Sequence, residues 1–493
     1  MRGQRLRWVK PDSFTLPMAE LGVGLAAGAQ ETTPPPSALM AALQTGVPLH
    51  DPPLSPRDEA VFLLHTAAEI EQALMVQYLY AAYSLKKPEQ IPADDPLRTE
   101  HQQTVERWRS TLLSIAKEEM GHLMTVQNLL LLLGGPLNFE REDFPFRSDF
   151  YPFPFRLEPL TKESLAKYVL AEKGEEHTVP EDLLDRASTI GMPVSRVGAL
   201  YARIYCIFTA RETAGEDAWF PCSRLVTPEL PDPHLADEDF VDGRRIAFYQ
   251  GGEDWRMQGP GGFPDVLVPT VTSREQARQA IREIAEQGEG GTNEPGPTHF
   301  SRFLDIYNQF PETDPRRGPI EWVATRSAPA DPNTLRRPGA ESAAGAITHP
   351  RSRGWAELFN LRYRMLLACL SHVLQLDRSA PGLEERAQIL AAQSLFSLMP
   401  GLSLIADLLL DLPLRTDEAA ERSGPPFELP YTLGLPGREA DRWRLHIHLR
   451  RLSRSLIGKL KTGARAGVEG DLLDSLEAED LGALQDMERF LDA

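Results

Sequence analysis

The chain has 493 residues, of which 42% are hydrophobic and 25% are charged, as in ordinary soluble globular proteins. Its formal net charge of -19 argues against a surface that binds nucleic acid or an anionic membrane non-specifically, because such binding depends on basic patches. We therefore expect a small-molecule or protein partner, and neither nucleic acid nor membrane.

The three cysteines, Cys206, Cys222 and Cys369, show no CxxC spacing. This pattern indicates neither a disulfide framework nor a thiolate zinc site, so we predict that Cys206 and Cys222 are unpaired buried thiols in a cytoplasmic protein. The first residues resemble a signal peptide only faintly, since prolines and acidic residues interrupt any apolar core. We expect no membrane span, because no run approaches the roughly 20 apolar residues that one needs.

The beginning of the chain predicts an arm followed by two long helices. Residues 1–54 are rich in proline, glycine and alanine, which cannot hold a helical hydrogen-bond ladder, so an extended arm is predicted. Ser55 opens the first long helix with an acidic first turn, and apolar residues continue it. The second long helix runs from about Pro96 to the stop signal at Gly134.

The rest of the chain predicts shorter helices separated by irregular segments. A glycine-rich and proline-rich insertion at 213–270 could cover a site, since excursions of that length within a domain are often functional. The predicted organisation is an extended arm at 1–54, a helical bundle at 55–313 that contains the insertion, a linker or loop at 314–350, additional helices packed on the bundle at 351–433, and a basic amphipathic helix with an acidic tail at 434–493.

The most informative charged residues lie within the apolar helices. Glu71 shares a face of the first long helix with apolar residues at three-and-four spacing, so its carboxylate should point into the core. Glu119 and His122 project from one apolar face of the second helix. Burying an unpaired carboxylate costs several kcal/mol, whereas a metal ion satisfies carboxylate and imidazole together. A glutamate on one helix and Glu-x-x-His on the next is how four-helix bundles hold two iron or manganese ions.

Further ligands are harder to place from pattern alone. Glu172, near the end of the third helix, is a plausible ligand, whereas Glu289 and His299 do not match Glu-x-x-His and depend on the fold to bring them to the site. Other roles are expected for the remaining polar groups. We expect Glu69 and Glu118 to be solvated or ion-paired, and His65 and His372 to be core or interhelical histidines. Packing is expected for Tyr78, Tyr80 and Tyr83, although a tyrosine beside a metal could relay an electron.

Several motifs, in order, resemble a known family. They are EIEQALMVQYLYAAYSL, AKEEMGHLMTVQNLLLLLGGP, AIREIAEQGEGG with THFSRF, WAELFNLRYRMLLACLSHV and GPPFELP. Together they resemble the ferritin-like domain of the iminophenylpyruvate dimer synthases, a family that includes the related domain of violacein-type and rebeccamycin-type pathways. The resemblance implies an all-α fold: a ferritin-like, metal-binding helical bundle with additional C-terminal helices and long irregular insertions.

The resemblance also implies a ligand set. Matched residue by residue, Glu71, Glu119, His122, Glu172, Glu289 and His299 fall on the family's metal-site residues, and Glu71, Glu119 and His122 are the predicted catalytic residues. One departure concerns the motif Gly-Glu-Phe-Tyr, which reads Gly198-Ala199-Leu200-Tyr201 here, so that a carboxylate is missing. The site would then hold one metal, use a substitute ligand, or do different chemistry.

The function that follows is an oxidase or oxygenase of secondary metabolism. We expect iron, or else manganese, to activate dioxygen for an amino-acid-derived small molecule, with a homo-oligomer or a pathway enzyme as a further partner. Imine dimerisation is the first alternative, although the family's pathway synthases carry a large additional domain before this one. A non-catalytic ferritin-like scaffold or metal-binding protein is the second alternative, and the missing carboxylate favours it.

Overall fold

The computed structural model describes residues 6–9, 46–174, 177–187, 196–213, 222, 233–241, 268–289 (side chains to 287), 297–334, 344–416, 421–430, 432–463 and 467–491. Strands β1 (Leu6–Val9) and β2 (Val47–His50) pair antiparallel near the start of this part of the chain. The helices before the predicted linker are α1 (Pro56–Ser84), α2 (Arg98–Leu132), α3 (Lys162–Ala171), α4 (Glu181–Arg186), α5 (Val197–Phe208), α6 (Arg274–Glu289) and α7 (His299–Gln309).

The second half of the chain adds another helical layer. Its helices are α8 (Pro350–Leu374), α9 (Leu383–Ala392), α10 (Met399–Leu409), α11 (Glu439–Lys461) and α12 (Val468–Glu488), with a π-helical turn at Gln393–Leu398 between α9 and α10. Because the described residues are mainly helical apart from one two-stranded sheet, the all-α prediction is confirmed. Most of the insertion predicted at 213–270, and its suggested role as a cover, lies outside the described residues.

The two longest helices, α1 and α2, form an antiparallel hairpin at the centre of the bundle. The Ser55 hydroxyl accepts the backbone N–H of Asp58 at 3.2 Å and so satisfies a free donor at the start of α1. Gly134 ends α2 in the left-handed region, at φ +63°, which a side chain would disfavour. The Arg57 guanidinium, at the start of α1, donates to the carbonyl of Leu133 at the end of α2 at 3.0 Å. This contact fixes the opposite directions of the two helices.

Shorter helices complete the bundle around this hairpin. Helix α3 packs against α7, and α5 packs against both α1 and α6. A buried ion pair joins α1 to α5, since Arg203 Nη2 lies 2.8 Å from Glu59 Oε2 and each side chain is 1% exposed. The buried carboxylate of Glu59 therefore has a cation beside it, which offsets the cost of its desolvation.

The C-terminal helices are held together by buried charge. Asp480 on α12 accepts hydrogen bonds from Arg450 on α11 at 2.6 Å and from Arg362 on α8 at 3.1 Å. All three side chains are almost completely buried. Exposed pairs, such as Arg451 with Glu488 at 2.9 Å, continue the contact between α11 and α12. The basic helix α11 thus pairs with acidic groups of its own chain, and the predicted acidic tail forms α12.

One prediction from composition is wrong. Cys206 and Cys222 form a disulfide bond, with their Cα atoms 5.4 Å apart. The chain following α5 returns to that helix, a proximity that their spacing of 16 residues does not reveal. The cysteines therefore no longer support a reducing compartment. Leu383–Leu409 is long and apolar enough, by length and composition alone, to be a candidate membrane span, with a mean hydropathy of 1.7, but it packs against α8 as core helices do and gives no evidence of a span.

Removing Asp480 tests whether buried charge stabilises the C-terminal layer. We expect Asp480→Ala to lower the free energy of unfolding by about 3–5 kcal/mol, because two buried guanidinium groups lose their shared carboxylate. Glu488→Ala, which breaks an exposed pair on the same helix, should cost about 1 kcal/mol or less. Urea denaturation followed by circular dichroism measures both variants. Equal shifts of the two midpoints would contradict the account.

Candidate metal centre

A cluster of carboxylates and imidazoles lies buried inside the bundle. Its members are Glu71 on α1, Glu119 and His122 on α2, Glu172 directly after α3, and His299 at the start of α7, and we call these residues the five-residue cluster. They form two groups in which one ligand atom from each residue lies within 4.8 Å of the others. The His122 group contains Glu71, Glu119 and His122, and the His299 group contains Glu119, Glu172 and His299.

The His122 group is built from two neighbouring helices. His122 Nδ1 lies 3.2 Å from Glu119 Oε2 and 3.4 Å from Glu71 Oε2. The hydroxyl of Tyr201, on α5, donates a hydrogen bond to the other oxygen of Glu71, Oε1. Glu71 therefore has one oxygen fixed by tyrosine and the other turned towards the histidine.

The His299 group repeats this arrangement on the other side of Glu119. His299 Nδ1 lies 2.9 Å from Glu119 Oε1 and 3.4 Å from Glu172 Oε2. The Tyr78 hydroxyl donates to Glu172 Oε1, as Tyr201 does to Glu71. Since Glu119 directs one oxygen to each histidine, it is the carboxylate that the two groups share.

The outer nitrogens of the two histidines also have partners. His122 Nε2 lies 2.8 Å from Gln287 Oε1, and His299 Nε2 lies 2.8 Å from Glu118 Oε2. An Nε2–H that donates outwards leaves the Nδ1 lone pair of a neutral imidazole facing the cluster. Such outer hydrogen bonds orient histidines as ligands in metal sites.

Charge within the cluster shifts the pKa values of its members in opposite directions. Burial raises the pKa of Glu71 to about 7, and the charge of Glu119 adds to this effect. Burial opposes ionisation of His122, but Glu119 and Glu71 outweigh it and raise the pKa of His122 to about 10. Burial likewise opposes ionisation of Glu119, yet His299 and His122 hold its pKa well below the ordinary value. Without metal, protons held by the two histidines therefore balance the charge of the ionised Glu119.

The residues fit a pair of divalent metal ions. Carboxylate oxygens and imidazole nitrogens form the donor set that suits iron and manganese. His299 Nδ1 is buried and has no hydrogen-bond partner among the described residues, although Glu119 Oε1 is only 2.9 Å away. A buried polar atom in that position requires an explanation, and a metal ion would provide one.

The structure brings together five of the six ligands predicted from the sequence. The side chain of the sixth, Glu289, lies outside the described residues, and Ala199, where the family has a glutamate, is buried on α5 without a carboxylate to offer. Glu118 was expected to be ion-paired, and it contacts both His299 and Arg302.

Three supporting contacts were not predicted. Tyr78 was assigned to packing, although its seven-residue spacing from Glu71 on one helix places both on the same face. Tyr201 and Gln287 carried no usable signal, because their partners lie on other helices.

The pKa of His122 predicts how the metal-free protein responds to alkali. A histidine whose pKa rises from 6.5 to about 10 on folding stabilises the fold fully below pH 6.5, and this stabilisation is lost as the pH rises towards 10. We therefore expect stability to decline between pH 7 and pH 9, and His122→Gln to make the decline shallower. Urea midpoints of chelator-treated protein measure this. His65→Gln is the control, since His65 bonds to Pro136 away from the cluster, and equal slopes in both variants would refute the assignment.

The bundle matches a known family of proteins. A family model described as ferritin-like matches residues 64–308, from α1 to α7. A solved ferritin-like protein from Caulobacter vibrioides is 16% identical, with a TM-score of 0.36, and its match covers 75% of this chain and 98% of that protein.

Two curated proteins align with much of the chain. Dichlorochromopyrrolate synthase from Lentzea aerocolonigenes is 25% identical over 432 residues, which are 82% of this chain and 39% of that protein. For 2-imino-3-(indol-3-yl)propanoate dimerase from Chromobacterium violaceum, the identity is 25% over 395 residues, 74% of this chain and 33% of the relative. The chain thus spans well under half the length of either relative. The family match shows a ferritin-like domain at residues 64–308, and together with these alignments it confirms the predicted resemblance to the ferritin-like dimer synthases.

Proposed function

We propose that the protein is a metal-dependent oxidase or oxygenase that acts on an amino-acid-derived small molecule. The observation that carries this proposal is the pair of buried ligand groups that share Glu119. Two divalent ions would satisfy the three carboxylates and two imidazoles together. Iron, or else manganese, bound there would supply the redox chemistry needed to use dioxygen.

The protein's own residues prepare this site in three ways. Tyr78 and Tyr201 each hold one oxygen of a terminal carboxylate, so that Glu172 and Glu71 keep a fixed orientation. Burial excludes bulk water from the cluster, which strengthens every charge interaction within it. The histidines must release their protons before either Nδ1 can bind a metal ion, so metal binding should be favoured by rising pH.

The charge of the cluster supports an anionic substrate. Two divalent ions would carry one more positive charge than the three carboxylates Glu71, Glu119 and Glu172 neutralise. A substrate that retains the carboxylate of an amino acid would compensate this charge in a site shielded from water. Ala199, which replaces a family glutamate, supplies no fourth carboxylate. The substrate would therefore have to supply the negative charge that compensates the metal ions.

Imine dimerisation is the second candidate. It is supported by the alignment of most of the chain with a protein named as a dimerase of 2-imino-3-(indol-3-yl)propanoate. Both reactions would use the same buried groups, so the products distinguish them. A scaffold without catalysis, the third candidate, would contain the ligands and yet consume no oxygen with any such substrate.

Metal content tests the site itself. We expect protein loaded anaerobically with Fe²⁺ and then desalted to retain iron, and both Glu119→Ala and His122→Ala to lose most of it, because each removes a ligand. Glu106→Ala, an exposed glutamate on the same helix, should retain the wild-type amount. Elemental analysis measures all four proteins. Wild-type protein that retains no iron or manganese would refute the proposal.

Substrate turnover tests the reaction. We expect the iron-loaded protein to consume oxygen when supplied with imines of aromatic amino acids, and Glu119→Ala to consume at least about tenfold less, as expected when a metal-site ligand is lost. An oxygen electrode and mass spectrometry of the products measure this. An oxidised or oxygenated monomer supports the oxidase, whereas a coupled product supports the dimerase. Iron-loaded protein that is inert towards every imine would favour the scaffold.

A further inference from the structure

The two halves of the cluster contain the same types of ligand atom, and they differ in what lies behind each histidine. Each half contains one histidine Nδ1, one terminal carboxylate and one oxygen of Glu119. In each half a buried tyrosine donates to the outer oxygen of the terminal carboxylate. The difference lies behind the histidines, because His122 Nε2 faces the neutral amide of Gln287, whereas His299 Nε2 faces the carboxylate of Glu118.

Glu118 is held firmly in that position. Arg302, on the first turn of α7, donates to both of its oxygens, with Nη1 at 2.9 Å from Oε1. The Glu118 side chain is 34% exposed, whereas His299 is 1% exposed. The Glu118 carboxylate therefore lies near the surface of the bundle. It connects Arg302 by direct contacts to the buried imidazole of His299.

A carboxylate behind a ligating histidine increases the basicity of the imidazole more than an amide does. Loss of such an outer partner commonly reduces metal affinity by about 10-fold to 100-fold. Because Arg302 partly neutralises the charge of Glu118, we expect a loss of metal affinity near the lower end of that range. Since the other ligands are matched, this difference is not offset by a further carboxylate or imidazole among the described residues.

We propose that the His299 group binds a divalent cation first, and about tenfold more tightly than the His122 group, because Glu118 supports His299. Glu118 is thus a positioning residue that makes the metal affinity of the His299 group higher than that of the His122 group. This inference rests on the proposed function, since it presupposes that the cluster binds metal.

Anaerobic titration of chelator-treated protein with Co²⁺ tests the order of binding. Visible absorption of the bound ion and calorimetry together report the number of binding steps and their affinities. Glu118→Gln should weaken the tighter step about tenfold and leave the weaker step unchanged. Gln287→Glu should strengthen the weaker step, a gain that structural damage would not produce. Arg302→Gln, which retains the carboxylate, is the control and should preserve the order.

Two substitutions show which group of the cluster is responsible for each binding step. His299→Ala should remove the tighter step, and His122→Ala should leave it in place. Two steps of equal affinity, a tighter step that disappears with His122→Ala, or a Glu118→Gln variant that weakens both steps alike would each overturn the inference. Wild-type protein that binds no Co²⁺ would overturn the proposed function, and this inference with it, whereas the former outcomes leave the metal site intact.

Discussion

The interior of the bundle holds more negative charge than its own cations can pair. At two other buried positions the chain pairs charge directly, since Glu59 is paired with Arg203 and Asp480 with Arg362. Within the five-residue cluster, carboxylates instead lie beside one another, with histidines as the nearest cations. Desolvated carboxylates in contact repel each other, so they require either bound protons or bound metal. This requirement explains both the raised pKa of His122 and the donor set that fits metal.

The arrangement of the helices follows from the need to build this cluster. Helices α1 and α2 contribute ligands from the middle of a long hairpin, where capped ends keep the two faces in register. Helices α3 and α7 pack together and supply the second half, so that Glu172 and His299 meet beside Glu119. The C-terminal layer has its own buried charges and contributes no residue to the two groups. Among the described residues, the two ligand groups therefore come only from α1, α2, α7 and the residue directly after α3.

The sequence predicted the parts of the site that depend on local periodicity. Glu71, Glu119 and His122 could be identified because helical spacing alone places them on apolar faces. His299 could be offered only as a candidate that depends on the fold, since no spacing connects it to Glu119. The supporting tyrosine on α5 and the disulfide bond between Cys206 and Cys222 depend on how separate segments meet. Contacts of that kind are set by tertiary packing, which a single sequence does not encode in a readable pattern.

The cluster would hold two metal ions through Glu119, His122 and His299, and anomalous diffraction from crystals grown with Mn²⁺ tests this most directly. The account predicts two anomalous peaks inside the bundle, one beside His122 Nδ1 and one beside His299 Nδ1, with an oxygen of Glu119 at each. Well-ordered density for empty side chains at saturating Mn²⁺, or manganese bound only at sites outside the five-residue cluster, would contradict it.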